Sequence, residues 1–269
     1  MQQAKFLING VSKTSNMTAD VINPATEEVF AKCHISNKDD VNDAVSAARN
    51  AFPMWSSLSN DERKSKLMEL ASSLEQSMPE LMELVTKESG KPMGGLNGIG
   101  SGMEVGGSIA WTQATASFEL PVEVIQDNEE ARIEVHHKPL GVVASITPWN
   151  WPLMIAIWHI IPALHSGNTV VVKPSPYTPV ATSRFVEIAN RILPKGVLNL
   201  VHGDTEVGSL LSTHEGVNKL IFTGSTPTGK KIMQASSVNL KRLTLELGGN
   251  DAGIVLPDSN VAELSLIHI

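Results

Sequence analysis

Apolar positions divide the chain into two textures. Between residues 36 and 92 they recur at helical steps, whereas from residue 141 onward they gather in short runs of Val, Ile and Leu. In the first region Ser36 followed by Asp39 is a capping-box signature, predicting a helix to about Phe52 with Val41, Ala44, Val45 and Ala48 on one face. Leu67, Leu70, Leu74, Met78, Leu81 and Leu84 form a stripe that predicts a second helix over 60–88, stopped by Gly90-Lys91-Pro92. Ahead of both, Asn23-Pro24-Ala25-Thr26 reads as the turn between strands at 18–22 and 29–34.

Past residue 141, strands at 141–147, 169–173, 197–201, 219–223 and 242–247 alternate with helices at 151–167, 179–193, 205–211 and 227–235. Such alternation means βαβ units and a parallel sheet covered on both faces. In these sheets ligands bind where the carboxyl ends of the strands open onto loops. The segments 148–151, 173–176, 202–204, 224–227 and 248–249 are therefore expected to share one edge. Between the two textures, residues 93–107 are glycine-rich, but no strand precedes them and no G-x-G-x-x-G is completed. Residues 122–125 and 131–137 alternate around Asp127-Asn128 and predict a β-ribbon, suited to an association arm. His136 and His137 fall in it as ribbon side chains rather than metal ligands, and no metal site is expected. The expected fold is α/β: a doubly wound, Rossmann-like parallel sheet with N-terminal helices and a protruding ribbon. Its expected parts are an N-terminal helical region (1–120), the ribbon (121–140), a dinucleotide-binding core (141–260) and an aberrant tail (261–269).

Composition narrows the function. The chain has 269 residues and a formal net charge of −7, with no basic stripe to suit nucleic acid. Its one cysteine, Cys33, excludes an internal disulfide framework and makes the cytoplasm the expected compartment. The most apolar run, 151–164, is too short to span a bilayer and is interrupted by His159 and Pro162, so no membrane partner is expected. MQQAKFLING lacks a secretory pattern.

The candidate chemistry centres on FTGSTPTGKKIM, residues 222–233, where Gly224-x-x-x-x-Gly229-Lys230 matches most of a Walker A loop. A P-loop needs Ser or Thr after the lysine to ligate Mg²⁺, and Lys231 stands there instead. Pro227 suits the first turn of a helix capped by Ser225 or Thr226. Strand, Gly-Ser turn and helix N-terminus then supply donors and a dipole for a pyrophosphate without a metal.

Five segments in order resemble the NAD(P)-dependent aldehyde dehydrogenase superfamily: ITPWNWP (146–152), NTVVVKPSPYTP (168–179), GVLNLVHG (196–203), FTGSTPTGK (222–230) and LELGGND (245–251). INPATEE (22–28) and ESGKP (88–92) extend the resemblance toward the N-terminus. It implies an enzyme that oxidises a small-molecule aldehyde through a cysteine thioester with NAD or NADP as cofactor. Asn150 is then the oxyanion donor and Glu246 the general base that activates the hydrolytic water. Lys173 reaches the adenosine ribose and Ser225 donates to the pyrophosphate, with Ile146, Thr147, Pro148, Trp149, Ser175, Pro176, Gly203, Phe222, Thr223, Gly224, Thr228, Leu247 and Gly248 completing the cofactor site. Assembly as a homo-dimer or homo-tetramer is implied as well.

Two departures stand out. Pro176 occupies the place where many NAD-preferring members carry a Glu, leaving NAD and NADP both open. The family nucleophile lies a few dozen residues beyond the motif Glu, and the sequence runs 269 − 246 = 23 residues past Glu246 without a cysteine. The expectation is a truncated copy that lacks its nucleophile and is inactive alone. The alternatives are a non-catalytic dinucleotide-binding module and, weakened by Lys231, a P-loop nucleotide binder.

Overall fold

A computed structural model describes residues 2–95 and 98–260; the expected tail at 261–269 lies outside the described residues. Three short strands that the apolar pattern did not predict open the chain, β1 (Gln2–Ala4), β2 (Phe6–Ile8) and β3 (Val11–Lys13). The expected hairpin follows as β4 (Thr18–Asn23) and β5 (Glu28–His34), its turn closed by Glu27 N donating to Asn23 O at 2.8 Å.

Helix α1 (Lys38–Ser57) departs from its expected start and end. Its cap is Asn37, which accepts from Asp39 N and Asp40 N while Asp40 closes the box on Asn37 N. Ser36 is buried instead and accepts from His202 N at 3.1 Å, tying the start of the helix to a loop of the main sheet. The long helix expected over 60–88 is two, α2 (Asn60–Gln76) and α3 (Met78–Ser89), broken at Ser77. Pro79 explains the break, because its ring in a continuous helix would clash with the carbonyl one turn back. Gly90, at φ +75°, ends α3 as expected. Helix α4 (Ser101–Ala116) was hidden in the glycine-rich stretch, since its buried face includes Ser101, Glu104, Ser108 and Thr112 and carries little apolar periodicity. The ribbon is present as antiparallel β6 (Glu123–Asp127) and β7 (Arg132–Val135).

The remaining elements alternate as predicted: β8 (Val142–Ile146), α5 (Pro152–His165), β9 (Thr169–Lys173), α6 (Val180–Ala189), β10 (Leu198–Leu200), α7 (Thr205–Thr213), β11 (Lys219–Gly224), α8 (Thr226–Ser236) and β12 (Arg242–Leu247). Helix α6 stops at Ala189, short of the expected 193. The sheet runs β12-β11-β8-β9-β10-β2-β3; the first five strands are parallel, and β2 pairs antiparallel to β10. Alternate residues of the central strands serve opposite cores. Val143, Val170 and Val172 pack with α2 to α6, while Val142, Ala144, Ile146 and Val171 pack with α1, α7 and α8.

Candidate active site at the carboxyl edge of the sheet

Because the five strands are parallel, their following loops emerge on one edge, as expected. Ile146 lies in register with Lys173 on one side and Phe222 on the other. Thr147 N donates to Lys173 O at 3.1 Å, the last tie before the chain turns through 148–151 into α5. Trp149 and Asn150 are exposed on this turn, Pro148 is half-buried, and the Asn150 amide has no partner among the described residues.

Strand β11 ends at Gly224 and Ser225 caps α8. The Ser225 hydroxyl accepts from Thr228 N at 3.4 Å and donates to Thr228 Oγ1 at 3.0 Å. A Cβ on Gly224 would come within 2.5 Å of the Phe222 ring, and one on Gly229 within 2.7 Å of Leu247. Glycine at these places lets the turn fold over Phe222 and brings α8 down onto β12. Gly229, Lys230 and Lys231 all lie inside α8, so the backbone is a helix N-terminus and not a Walker loop. Its cap is exposed and its first amides are oriented outward, an arrangement able to accept an anionic group.

Lys173, at the end of β9, is 4% exposed, and its ammonium donates to Pro174 O at 2.9 Å and Gly203 O at 2.7 Å. It therefore binds the β9 loop to the β10 loop. Burial pulls its pKa down to about 8, against the opposing pull of the Asp204 carboxylate. Gly203 sits at φ +153°, and a Cβ there would meet Val207 at 2.3 Å. Ser175 is buried and accepts from Tyr177 N, and Pro176 is half-buried beside it. Thr147 Oγ1 is buried at this edge with no hydrogen-bond partner among the described residues.

Glu246 pairs in register with Thr223, and Leu247 with Gly224. In-register residues of parallel neighbours share a face, so the Glu246 carboxylate projects on the α5 side, where it is exposed. Two strand spacings separate β12 from β8, placing Glu246 about 10 Å from the start of the Asn150 turn. Gly248 follows in the open, with nothing within 4 Å of an added Cβ.

The pattern of apolar residues concealed other polar groups near this edge. His159 of α5 shares hydrogen bonds with Ser145 on β8 and Thr223 on β11, both at 3.0 Å, and burial pushes its pKa down to about 4. Its one sequence signal was a polar residue inside an apolar helix. Glu88 accepts from Val180 N and Ala181 N and so caps α6, its carboxyl raised by burial to about 8. Cys33 lies on β5, buried, with its thiol pushed up to about 12 by desolvation. His136 and His137 stand beside Glu134 and Glu123 on the ribbon. Among the described residues no group of three or more His, Cys, Asp or Glu is arranged to hold a metal, and no helix is long and apolar enough to cross a membrane.

Residues 11–266 match the family model described as Aldehyde dehydrogenase family. Aldehyde dehydrogenase LUC3 of Fusarium sp. is 36% identical over 255 residues, which are 95% of this chain and 53% of that protein. The crystal structure of PnpE in complex with nicotinamide adenine dinucleotide superposes with a TM-score of 0.90 at 38% identity, over 97% of this chain and 54% of that one. An NADP dependent enzyme of E. coli superposes at 0.87 with 32% identity, over 93% and 52%. The chain spans about half the length of the curated relatives it matches.

Proposed function

The chain belongs to the aldehyde dehydrogenase family, and from that premise we propose that its parent protein oxidises an aldehyde to a carboxylic acid with NAD or NADP, residues 141–260 forming the dinucleotide-binding core. The observation that supports this is the convergence of Asn150, Lys173, Gly203, Ser225 and Glu246 on one edge of a parallel sheet.

The pyrophosphate is held by the Ser225 hydroxyl and the first amides of α8, which need no metal. The Lys173 and Gly203 loops frame the adenosine ribose. When bound, the nicotinamide supplies the hydride acceptor. The Asn150 amide, unpaired and exposed, donates to the oxyanion as it develops on the aldehyde oxygen. The Glu246 carboxylate takes a proton from the water that hydrolyses the thioester, which favours release of a free acid over transfer to another acceptor. Cys33 is not the thiol: it is buried and held protonated by a pKa near 12. The sequence holds no other cysteine, so these 269 residues are read as binding the dinucleotide without supplying the nucleophile. The ribbon is the arm through which the parent forms a homo-dimer or homo-tetramer.

The test has two arms. The 269-residue chain is titrated with NADH and with NADPH, following nucleotide fluorescence, and binding of at least one without Mg²⁺ is expected. In the complete protein, Asn150→Ala lowers kcat by about 10²- to 10³-fold. Glu246→Gln leaves the first NADH burst and abolishes the steady state. Binding of Mg²⁺-ATP with no binding of either dinucleotide would overturn the reading.

A further inference from the structure

We propose that Lys91 and Glu104 are positioning residues that clamp the turn carrying Asn150. The proposal rests on reading Asn150 as the oxyanion donor. Glu104 lies on α4, far in sequence from that turn, and its side chain is fully buried. A buried carboxylate is costly unless paired and hydrogen-bonded, and the hydrogen-bond and ion-pair partners of the Glu104 carboxylate all serve this one place. Oε1 accepts from Leu153 N at 2.9 Å and Met154 N at 3.2 Å, the first-turn amides of α5. The residue at the N-cap of α5, Trp151, supplies no side-chain cap, so a carboxylate from another helix does that work. Oε2 accepts from Lys91 Nζ at 2.6 Å.

The same ammonium stands 3.5 Å from the centroid of the Trp151 ring. Trp151 directly follows Asn150. One cation thus neutralises the carboxylate that anchors the helix and holds the aromatic ring of the adjoining turn residue. At its other end the turn is fixed to the sheet by Thr147 N on Lys173 O. The Asn150 amide has no partner of its own among the described residues, so its direction is that of the turn between these two anchors. An ion pair buried for stability alone could be exchanged for apolar packing at little loss. A pair whose contacts converge on Trp151, Leu153 and Met154, just past Asn150, has an orienting role, and displacement of a catalytic group by about 1 Å can cost 10²-fold.

The experiment uses the complete protein and Lys91→Met, Lys91→Arg and Asn150→Ala, with Glu104→Gln as a second probe. Removing the Lys91 charge leaves the buried Glu104 carboxylate unpaired, so retention of the fold is verified by an unchanged NADH affinity, and pairing Lys91→Met with Glu104→Gln removes the orphaned charge if that affinity falls. Lys91→Met is expected to lower kcat about tenfold with the aldehyde KM unchanged, and Lys91→Arg to restore most of it because a guanidinium keeps charge and ring stacking. In the Asn150→Ala background Lys91→Met should add nothing. A further tenfold loss there, or an unchanged kcat in Lys91→Met alone, overturns the proposal. Asn150→Ala with full activity would sink the oxyanion reading instead. The clamp is then judged by Trp151 emission, taken as the difference between the chain and its Trp151→Phe variant: a shift on Lys91→Met sustains it, and no shift refutes it.

Discussion

Burial keeps the His159 imidazole neutral while Ser145 and Thr223 bond its two nitrogens. Its pKa falls from 6.5 to about 4 on folding, so the folded state binds fewer protons than the unfolded one between those values. Stability is then complete above pH 6.5 and lost as pH falls through the window toward 4, by about 3 kcal/mol if His159 acts alone. Glu88 works in the opposite sense: its carboxyl is raised to about 8, so its share of stability is lost as pH rises from 4.5 to 8. Comparing wild type with His159→Gln cancels the Glu88 share, because both proteins retain it. The melting temperature of the variant should fall less steeply between pH 6.5 and 4.5 than that of wild type. Parallel curves would mean that the imidazole is charged, or solvated, in the fold.

Glycine at two loop positions has different physical reasons, and substitution separates them. Gly203 occupies a backbone conformation that L-residues rarely adopt, a Cβ there would strike Val207 at 2.3 Å, and its carbonyl receives the Lys173 ammonium. Gly203→Ala should destabilise by about 1–3 kcal/mol and weaken NADH binding with it. Gly248→Ala meets nothing within 4 Å and should stay within about 0.5 kcal/mol of wild type in denaturant unfolding. Equal losses at the two positions would mean that the β10 loop is free to relax. Strands β8 and β9 were legible because they are buried on both faces and rich in Val and Ile, and the edge strand β12 through the alternation of Leu with polar residues. So were the turn at 148–151 and the Ser225 cap, each set by local chemistry. What escaped depends on contacts distant in sequence. Helix α4 buries hydroxyls and Glu104 rather than an apolar stripe, and β2 is a strand because it lies against β10, nearly two hundred residues on. The true cap of α1 was one residue past the expected one, since Ser36 turns inward to His202.

At the scale of the molecule, the sheet is unevenly covered. Helices α2 to α6 shield β8, β9 and β10 on the Glu246 side, whereas β12 is a sheet edge and Glu246 and Leu247 are exposed on it. Beyond it Ile254, Val255 and Leu256 are exposed, as are Val238 and Leu240 before it, and the ribbon presents Val124, Ile125, Ile133 and Val135. An open parallel edge beside apolar side chains is a template for pairing with another chain, and a net charge of −7 opposes that association only weakly at physiological salt. The isolated 269-residue chain should therefore elute as a broad, high-mass species and bind a hydrophobic dye. The two sources are separable, because the ribbon register is held by exposed pairs such as Arg132–Asp127 and tolerates a charge on its apolar positions. If Val124→Lys with Ile133→Glu leaves the association intact, the β12 edge is responsible, and a charge placed on that edge, as in Leu247→Lys, should make the chain discrete. If the ribbon changes alone yield a monodisperse monomer, the edge is protected and the arm drives assembly. A wild-type chain that is already monomeric, dye-silent and cooperative in melting would refute both.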